Sequence, residues 1–339
     1  MKCEVLVSTA DLSREEWLEY RRQGVGGSEA AAVSGLSKWA SPYTVWADKT
    51  GVVPSTFDGN EATEWGNLLE LPIAQMYAKK TGDAVVAVPV LLRSIEHPFM
   101  LANVDFFIVK HDKYPRGVVT HVENFDEVKF DILAILEIKT GGLVGRASRE
   151  WENDCVPTNY EYQGLHYAAV TGIRDVVFCA LLGGQGLVTR QRTYGDFEVK
   201  FLEKTEADFW KHVQGKIPPE AIGVERDFEV LKAQYPQSVE GLAVEADDFI
   251  ADVVKEYAET QTEIKQLESQ LAMLRAKIEQ VIGSAEALIY NNETLLTYKS
   301  SKSRESLNTK ALAQAHPALV SEFTETKPGA RVLRIRGGN

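Results

Sequence analysis

Glu137 and Lys139 stand two positions apart at the end of an apolar run, Leu133-Ala134-Ile135-Leu136-Glu137-Ile138-Lys139-Thr140. Alternate residues of a strand face the same side, so this acid and this amine would share one site. The pair suits phosphodiester hydrolysis, in which water must attack an anion and expel a poor leaving group. A divalent metal held by carboxylates lowers the pKa of bound water and stabilises charge on the departing oxygen, and a lysine can orient or help deprotonate the water. Asp105, within the apolar stretch Leu101 to Val109, is a second hard-oxygen ligand, and the Ile138 backbone carbonyl a third. Glu70 follows Trp65-Gly66-Asn67-Leu68-Leu69 on an amphipathic helix and is placed to reach the same cleft, to bind a second metal or hold metal-bound water.

Glu-x-Lys also occurs at Glu127, Glu198, Glu263 and Glu325, so context decides. Only Glu137 follows a β-branched and aliphatic run and precedes a Gly-Gly break. The copy at Glu263 lies in a heptad-like helix and reads as a solvated face. His166 reads as a packing histidine, since no Ser-His-Asp ordering or His cluster accompanies it.

The elements that must position these residues follow from periodicity and caps. Residues 13–23 form a helix with Ser13 as cap and Glu15 and Glu16 in its first turn. Gly24, Gly26 and Gly27 end it, and Ser28 opens a small-residue helix over 29–34 whose N–H groups, flanked by Arg22 and Ser28, would face an anion. A helix over 61–80 carries Glu70, with Pro72 marking a kink or break. Residues 85–92, 99–109, 132–139 and 175–182 read as strands, and 159–170 and 205–214 as helices. Intermixed helices and strands make the first part α/β or α+β with a mixed sheet.

Lys216-Ile217-Pro218-Pro219-Glu220 marks a boundary, giving a domain over 1–220, a linker over 221–245, an amphipathic helical arm over 246–283 and a small basic α/β module over 284–339. In the arm, Ile250, Val253, Tyr257, Ile264, Leu267, Leu271, Leu274, Ile278 and Val281 recur mostly at three- and four-residue spacing and need a partner face. The module reads as a hairpin turning at Asn291-Asn292, a helix over 309–316 and a last strand over 330–336, on which Arg334 and Arg336 would share a face.

At 339 residues, 44% hydrophobic and 25% charged, the chain has the composition of a soluble globular protein with room for two domains. No apolar stretch approaches ~18 residues and no signal-peptide pattern opens it, so the expected compartment is the cytoplasm, without membrane contact. Three scattered cysteines disfavour a disulfide framework, a zinc site or an iron–sulfur cluster. The net charge of −12 opposes sequence-wide attraction to nucleic acid. From Lys299 onward, however, eight basic residues face three acidic ones, a net of +5 that leaves −17 elsewhere and points to a basic end.

Five blocks occur in order: Arg22-Gln23-Gly24-Val25-Gly26-Gly27-Ser28-Glu29-Ala30, Trp65-Gly66 with Glu70, Asn103-Val104-Asp105, Leu136-Glu137-Ile138-Lys139, and Tyr162-Gln163-Gly164-Leu165-His166-Tyr167. From Trp17 to Pro219 the chain thereby resembles the YqaJ-like viral recombinase nucleases, relatives of lambda exonuclease in the PD-(D/E)XK superfamily. The resemblance implies a nuclease core with a mixed central sheet flanked by helices. It also implies a Mg²⁺-dependent exonuclease, Mn²⁺ being chemically similar, that digests linear double-stranded DNA from the 5′ end and leaves a 3′ strand for a single-strand annealing or recombinase partner. It assigns Arg22 and Ser28 to the 5′-phosphate, Glu70, Asp105 and Glu137 to metal, Lys139 to water activation and Gln163 to positioning. The family's second glutamine falls at Leu165 here. Relatives of this kind can form toroidal trimers, so the resemblance allows a homo-oligomer, a trimer, and the host of a phage enzyme is a bacterial cytoplasm. An endonuclease or single-strand nuclease on the same core, and a non-catalytic scaffold built on the arm, are the competing readings.

Overall fold

A computed structural model describes residues 1–53, 61–142, 149–326 and 329–335. It divides the chain into two compact units, Met1–Tyr235 and Pro236–Asn339.

The first unit is α+β. Its main sheet has six strands: β3 (Ala84–Ala87), β6 (Phe106–Val109), β7 (Val119–His121), β8 (Ile132–Gly141), β9 (Asp175–Leu182) and β10 (Gly186–Thr193). Their spatial order is β10-β9-β8-β6-β3-β7. β8–β9 and β3–β7 are parallel and the other pairs antiparallel, so the sheet is mixed. A smaller sheet orders β1 (Cys3–Ser8), β4 (Val90–Ser94), β5 (Met100–Ala102) and β2 (Val25–Gly26).

β8 is buried on both faces, which is why it reads as a continuous apolar run. On one side Ala134, Leu136 and Ile138 pack with Ile73, Ala74, Tyr77 and Ala78 of helix α4 (Glu61–Thr81). On the other, Ile135 lies in the core that holds Leu165, Ala168 and Ala169 of helix α5 (Thr158–Thr171). The active-site candidates are carried between these two layers.

Further helices frame the core: α1 (Arg14–Arg22), α2 (Ala30–Val33), α3 (Pro42–Thr50), α6 (Asp196–Gly215) and α7 (Glu225–Gln234). Helix α1 starts in a capping box, Ser13 Oγ accepting from Glu16 N at 3.2 Å and Glu16 Oε2 from Ser13 N at 2.9 Å.

Several expectations change. Helix α4 runs unbroken through Pro72, because its C-terminal half is anchored on the sheet and the carbonyl that Pro72 leaves unpaired belongs to exposed Leu68. The runs at 85–92 and 99–109 are each two strands, interrupted at Val88-Pro89 and at Asn103-Val104-Asp105, so Asp105 precedes a strand rather than lying on one. The helix over 205–214 begins earlier, at Asp196, where Glu198 accepts from Gly195 N at 2.7 Å. The boundary moves from Glu220 to Tyr235. Helix α7, placed in the expected linker, docks on α3: buried Asp227 accepts from Ser41 Oγ and from the Ile222 and Gly223 amides, and Tyr43 donates to Gln234 at 2.7 Å.

The second unit contains a 35-residue helix, α8 (Asp248–Ile282), then a hairpin of β11 (Ala287–Tyr290) and β12 (Glu293–Thr297). Asn291 and Asn292, with φ of 48° and 66°, make its turn. Helices α9 (Thr309–Ala315) and α10 (Pro317–Glu322) follow. No strand forms over 330–335, and Arg336 and Lys327 lie outside the described residues. Among the described residues no helix is long and apolar enough to cross a membrane. Cys3 and Cys179 are buried and Cys155 is exposed, all as free thiols.

Candidate active site

β6 pairs with β8 only as far as Phe106 opposite Leu136, so β8 continues past its neighbour with one edge open. Asp105 fills that edge: its Oδ2 accepts from the Ile138 amide at 2.9 Å. A residue's N–H and C=O leave a strand on the same side, so the Ile138 carbonyl faces the Asp105 edge as well.

Glu137 and Lys139 project from the opposite face to Ile138, toward α5. The Glu137 side chain is fully buried. Its Oε1 accepts from Lys139 Nζ at 2.5 Å and from Gln163 Nε2 at 2.6 Å, while Oε2 has no hydrogen-bond partner. Gln163 also donates to Tyr167 Oη at 2.9 Å, and Tyr167 donates to the Asn103 carbonyl at 2.8 Å, tying α5 to the segment that carries Asp105. Lys139 Nζ lies 4.9 Å above the Tyr160 ring. Leu165, two residues from Gln163, points into the core because i and i+2 diverge on a helix; the side chain that accompanies Gln163 is Tyr167 at i+4.

Burial first, then Asp105, pushes Glu137 up to about 8. Burial and Asp105 likewise push Glu70 up to about 7, and burial raises Asp105. Burial opposes the charge on Lys139, but Glu137 and Asp105 outweigh it and hold the amine protonated. Glu70 and Asp105 line one cleft of about 640 Å³ together with Asn67, Asn103, Trp17 and Arg21. Three carboxylates raised by burial, two of them further by Asp105, with a buried Glu137 oxygen lacking a partner, form a donor set that fits a hard divalent cation. Among the described residues no three acidic, His or Cys side chains are already gathered round one point.

A second pocket, of about 290 Å³, is lined by Arg21, Arg22, Ser28, Glu29, Asp48 and Arg226 among others. Sequence reasoning paired Arg22 with Ser28; both line the pocket, but the guanidinium bonded to Ser28 Oγ, at 3.2 Å, is that of Arg21. Arg21 also lines the carboxylate cleft and so joins the two spaces. Glu29 fixes it, accepting from Arg21 at 3.2 Å, from Lys49 at 2.8 Å and from the Gly26 amide at 2.8 Å. Burial opposes ionisation of Glu29, but Lys49 and Arg21 overcome it and lower its pKa. The expected anion site at the N-terminus of 29–34 is altered: Gly27–Glu29 is a 3₁₀ turn and Ala30–Val33 is buried, so side chains rather than helix amides present the positive charge. Arg21, Lys49 and Arg226 were missed. Lys49 and Arg226 lie outside every motif, and only the i to i+7 offset between Arg21 and Ser28 hinted at the first.

His166 is a packing residue as expected, buried and bonded to Glu206 and to the Leu101 carbonyl, both at 2.8 Å. Gly27 sits against Tyr167: a Cβ there would lie 2.5 Å from Cε1. Gly27→Ala is therefore expected to lower stability by about 1–3 kcal/mol, read as a lower urea midpoint with unchanged slope.

The fold and site together define an α+β protein whose mixed sheet carries Glu137-Ile138-Lys139 on a central strand beside Asp105. Residues 16–174 match the YqaJ-like viral recombinase domain. The chain is also 32% identical over 288 residues to the uncharacterized protein YqaJ of Bacillus subtilis (strain 168), covering 84% of this chain and 83% of that one. It belongs to the YqaJ-like viral recombinase family. Among solved structures it is similar to the alkaline exonuclease LHK-Exo from Laribacter hongkongensis, with a TM-score of 0.44 and 17% identity over 60% of this chain and 94% of that one. A phage-related exonuclease from Haemophilus somnus 129PT is also similar, with a TM-score of 0.36 and 14% identity over 56% and 83% of the two chains.

Proposed function

We propose that this chain is a metal-dependent exonuclease that hydrolyses linear double-stranded DNA from its 5′ ends and leaves 3′ single strands for an annealing or recombinase partner. The observation that carries the reading is Glu137: a fully buried carboxylate held by Lys139 and Gln163, with one oxygen unpartnered, beside Asp105 and Glu70. Glu70, Asp105, Glu137 and the Ile138 carbonyl would hold Mg²⁺, with Mn²⁺ as an alternative of the same oxygen chemistry. When bound, the metal supplies an activated water and charge stabilisation at the leaving oxygen. Gln163 positions Glu137, and Lys139 sets the orientation and charge balance at the attacked phosphate.

The 5′ preference rests on the second pocket. Arg21, Arg22 and Arg226, with Lys49, carry four positive charges against Glu29 and Asp48, in a chain whose net charge is −12. Among the described residues neither Arg22 nor Arg226 has an ion-pair or hydrogen-bond partner. A terminal phosphate bonded there would leave the next linkage to run toward the carboxylate cleft through Arg21. The test is release of label from each 5′ and 3′ end of a linear duplex, in Mg²⁺ or EDTA, beside a closed circle. Metal-dependent loss confined to 5′ ends supports the reading; cutting of the circle makes the protein an endonuclease.

The carboxylates also set a pH dependence. With Glu137 raised to about 8 and Glu70 to about 7, the folded metal-free protein binds more protons than the unfolded chain between about pH 4.5 and 8. The two groups' contribution therefore falls as pH rises through that window. A cation requires the deprotonated oxygens, so Mg²⁺ should raise Tm little at pH 5 and most near pH 8. Thermal unfolding in EDTA and in Mg²⁺ at several pH values checks this, and Glu137→Gln should flatten both trends.

A further inference from the structure

Helix α8 carries five consecutive heptads without an insertion. With Ile250 as the first a position, a is Ile250, Tyr257, Ile264, Leu271 and Ile278, and d is Val253, Thr260, Leu267, Leu274 and Val281. Nine of these ten side chains are apolar, and those nine are 40–74% exposed. A strict 3.5-residue repeat keeps its seam facing a partner only when a second helix of the same repeat winds round it. Among the described residues no other helix of this chain carries that repeat. The hairpin approaches the helix on another side: Tyr298 bonds Arg275 and Glu279, at e and b positions, and Ile282, at e, is buried. Within the second unit, no described residue covers the a/d seam.

We infer that α8 pairs with α8 of a second copy as an antiparallel coiled coil. The charges beside the seam choose both the partner and the direction. In a parallel pair each g residue meets the e residue five positions on in the partner, which sets Glu263 against Glu268 on both sides of the interface. Full antiparallel overlap places Ile250 opposite Val281, Tyr257 opposite Leu274 and Ile264 opposite Leu267, so all five heptads are used. That alignment brings Glu256 beside Lys277 twice and leaves no like-charged pair at the flanking g and e positions. It also opposes the acidic first half of the helix, with Asp248, Asp252, Glu256, Glu259 and Glu263 against Lys255 and Lys265, to a second half in which Arg275 and Lys277 balance Glu268 and Glu279. The inference concerns the second unit and is independent of the nuclease reading.

The full chain tests it by sedimentation equilibrium, which should show self-association that Leu267→Glu with Leu271→Glu weakens at least about 100-fold, four buried leucines per dimer being removed from the seam. Both leucines are 63–67% exposed in the single chain, so the substitutions address the seam rather than the fold, and the far-UV spectrum should not change. A spin label on Asp252→Cys, in a Cys155→Ser background, reads direction: labels about 40 Å apart follow from antiparallel overlap at 1.5 Å per residue, and labels within about 20 Å from a parallel pair. A monomer, or an assembly whose mass the double substitution leaves unchanged, overturns the pairing. Close labels overturn its direction.

Discussion

Lys139→Ala is expected to cut 5′-end release from linear duplex DNA by about 10³-fold or more at saturating Mg²⁺, with DNA binding in EDTA nearly unchanged. The size follows from position. Lys139 is the cation 2.5 Å from the buried Glu137 carboxylate, and its pKa is raised because Glu137 and Asp105 overcome burial. It is thus the fixed positive charge nearest the oxygen that Gln163 also holds, where charge would develop on the attacked phosphate. Removing it should act on the chemical step rather than on end capture, so single-turnover rates fall while affinity stays. The fold should persist, since a buried Glu137 without its lysine is neutral near pH 7 and a neutral carboxyl tolerates burial. Lys139→Arg should recover little, because a guanidinium cannot occupy the ammonium's place between Glu137 and the Tyr160 face without displacing one of them. Comparable rates for Lys139→Ala and wild type would refute the assignment of the site.

Arg21→Ala should slow digestion of 5′-phosphorylated ends about 10–100-fold and leave 5′-hydroxyl ends within about threefold, abolishing the preference expected of the wild type. Arg21 touches Ser28 at 3.2 Å, stacks 4.8 Å from the Trp17 ring and is braced by Glu29, which Lys49 holds in turn. A guanidinium fixed on three sides loses little entropy when it meets a phosphate, and it lines both the pocket and the carboxylate cleft. Arg22→Ala and Arg226→Ala should each give smaller losses with the same dependence on the end phosphate. Equal losses on both kinds of end would instead mean that the pocket contacts the strand backbone.

The parts of this molecule that were legible beforehand are those that repeat locally. The apolar run before Glu137 identified β8, and strand alternation placed Glu137 with Lys139, because a period of two is a property of the backbone alone. Ser13 and Glu16 marked the start of α1, Asn291-Asn292 the hairpin turn, and the heptads of α8 the arm, each through short-range stereochemistry. The strands β1, β7 and β10 and the helices α3 and α7 gave weaker local signals and were found only in the folded chain. β10 is half exposed and rich in arginine and threonine, and α7 has its place because Asp227 reaches Ser41, 186 positions earlier.

The sequence by itself determined which residues could do chemistry and that two of them share a face. Only the tertiary structure decided that Asp105 stands in a break and holds the amide of Ile138 from 33 positions away, that Arg21 rather than Arg22 reaches Ser28, and that Lys49 and Arg226 join them. Neighbouring helix residues point about 100° apart, so choosing between Arg21 and Arg22 requires the rotation of α1, which Glu29 and Lys49 set from outside the helix. Such contacts depend on chain closure over tens of residues, and no local period records them.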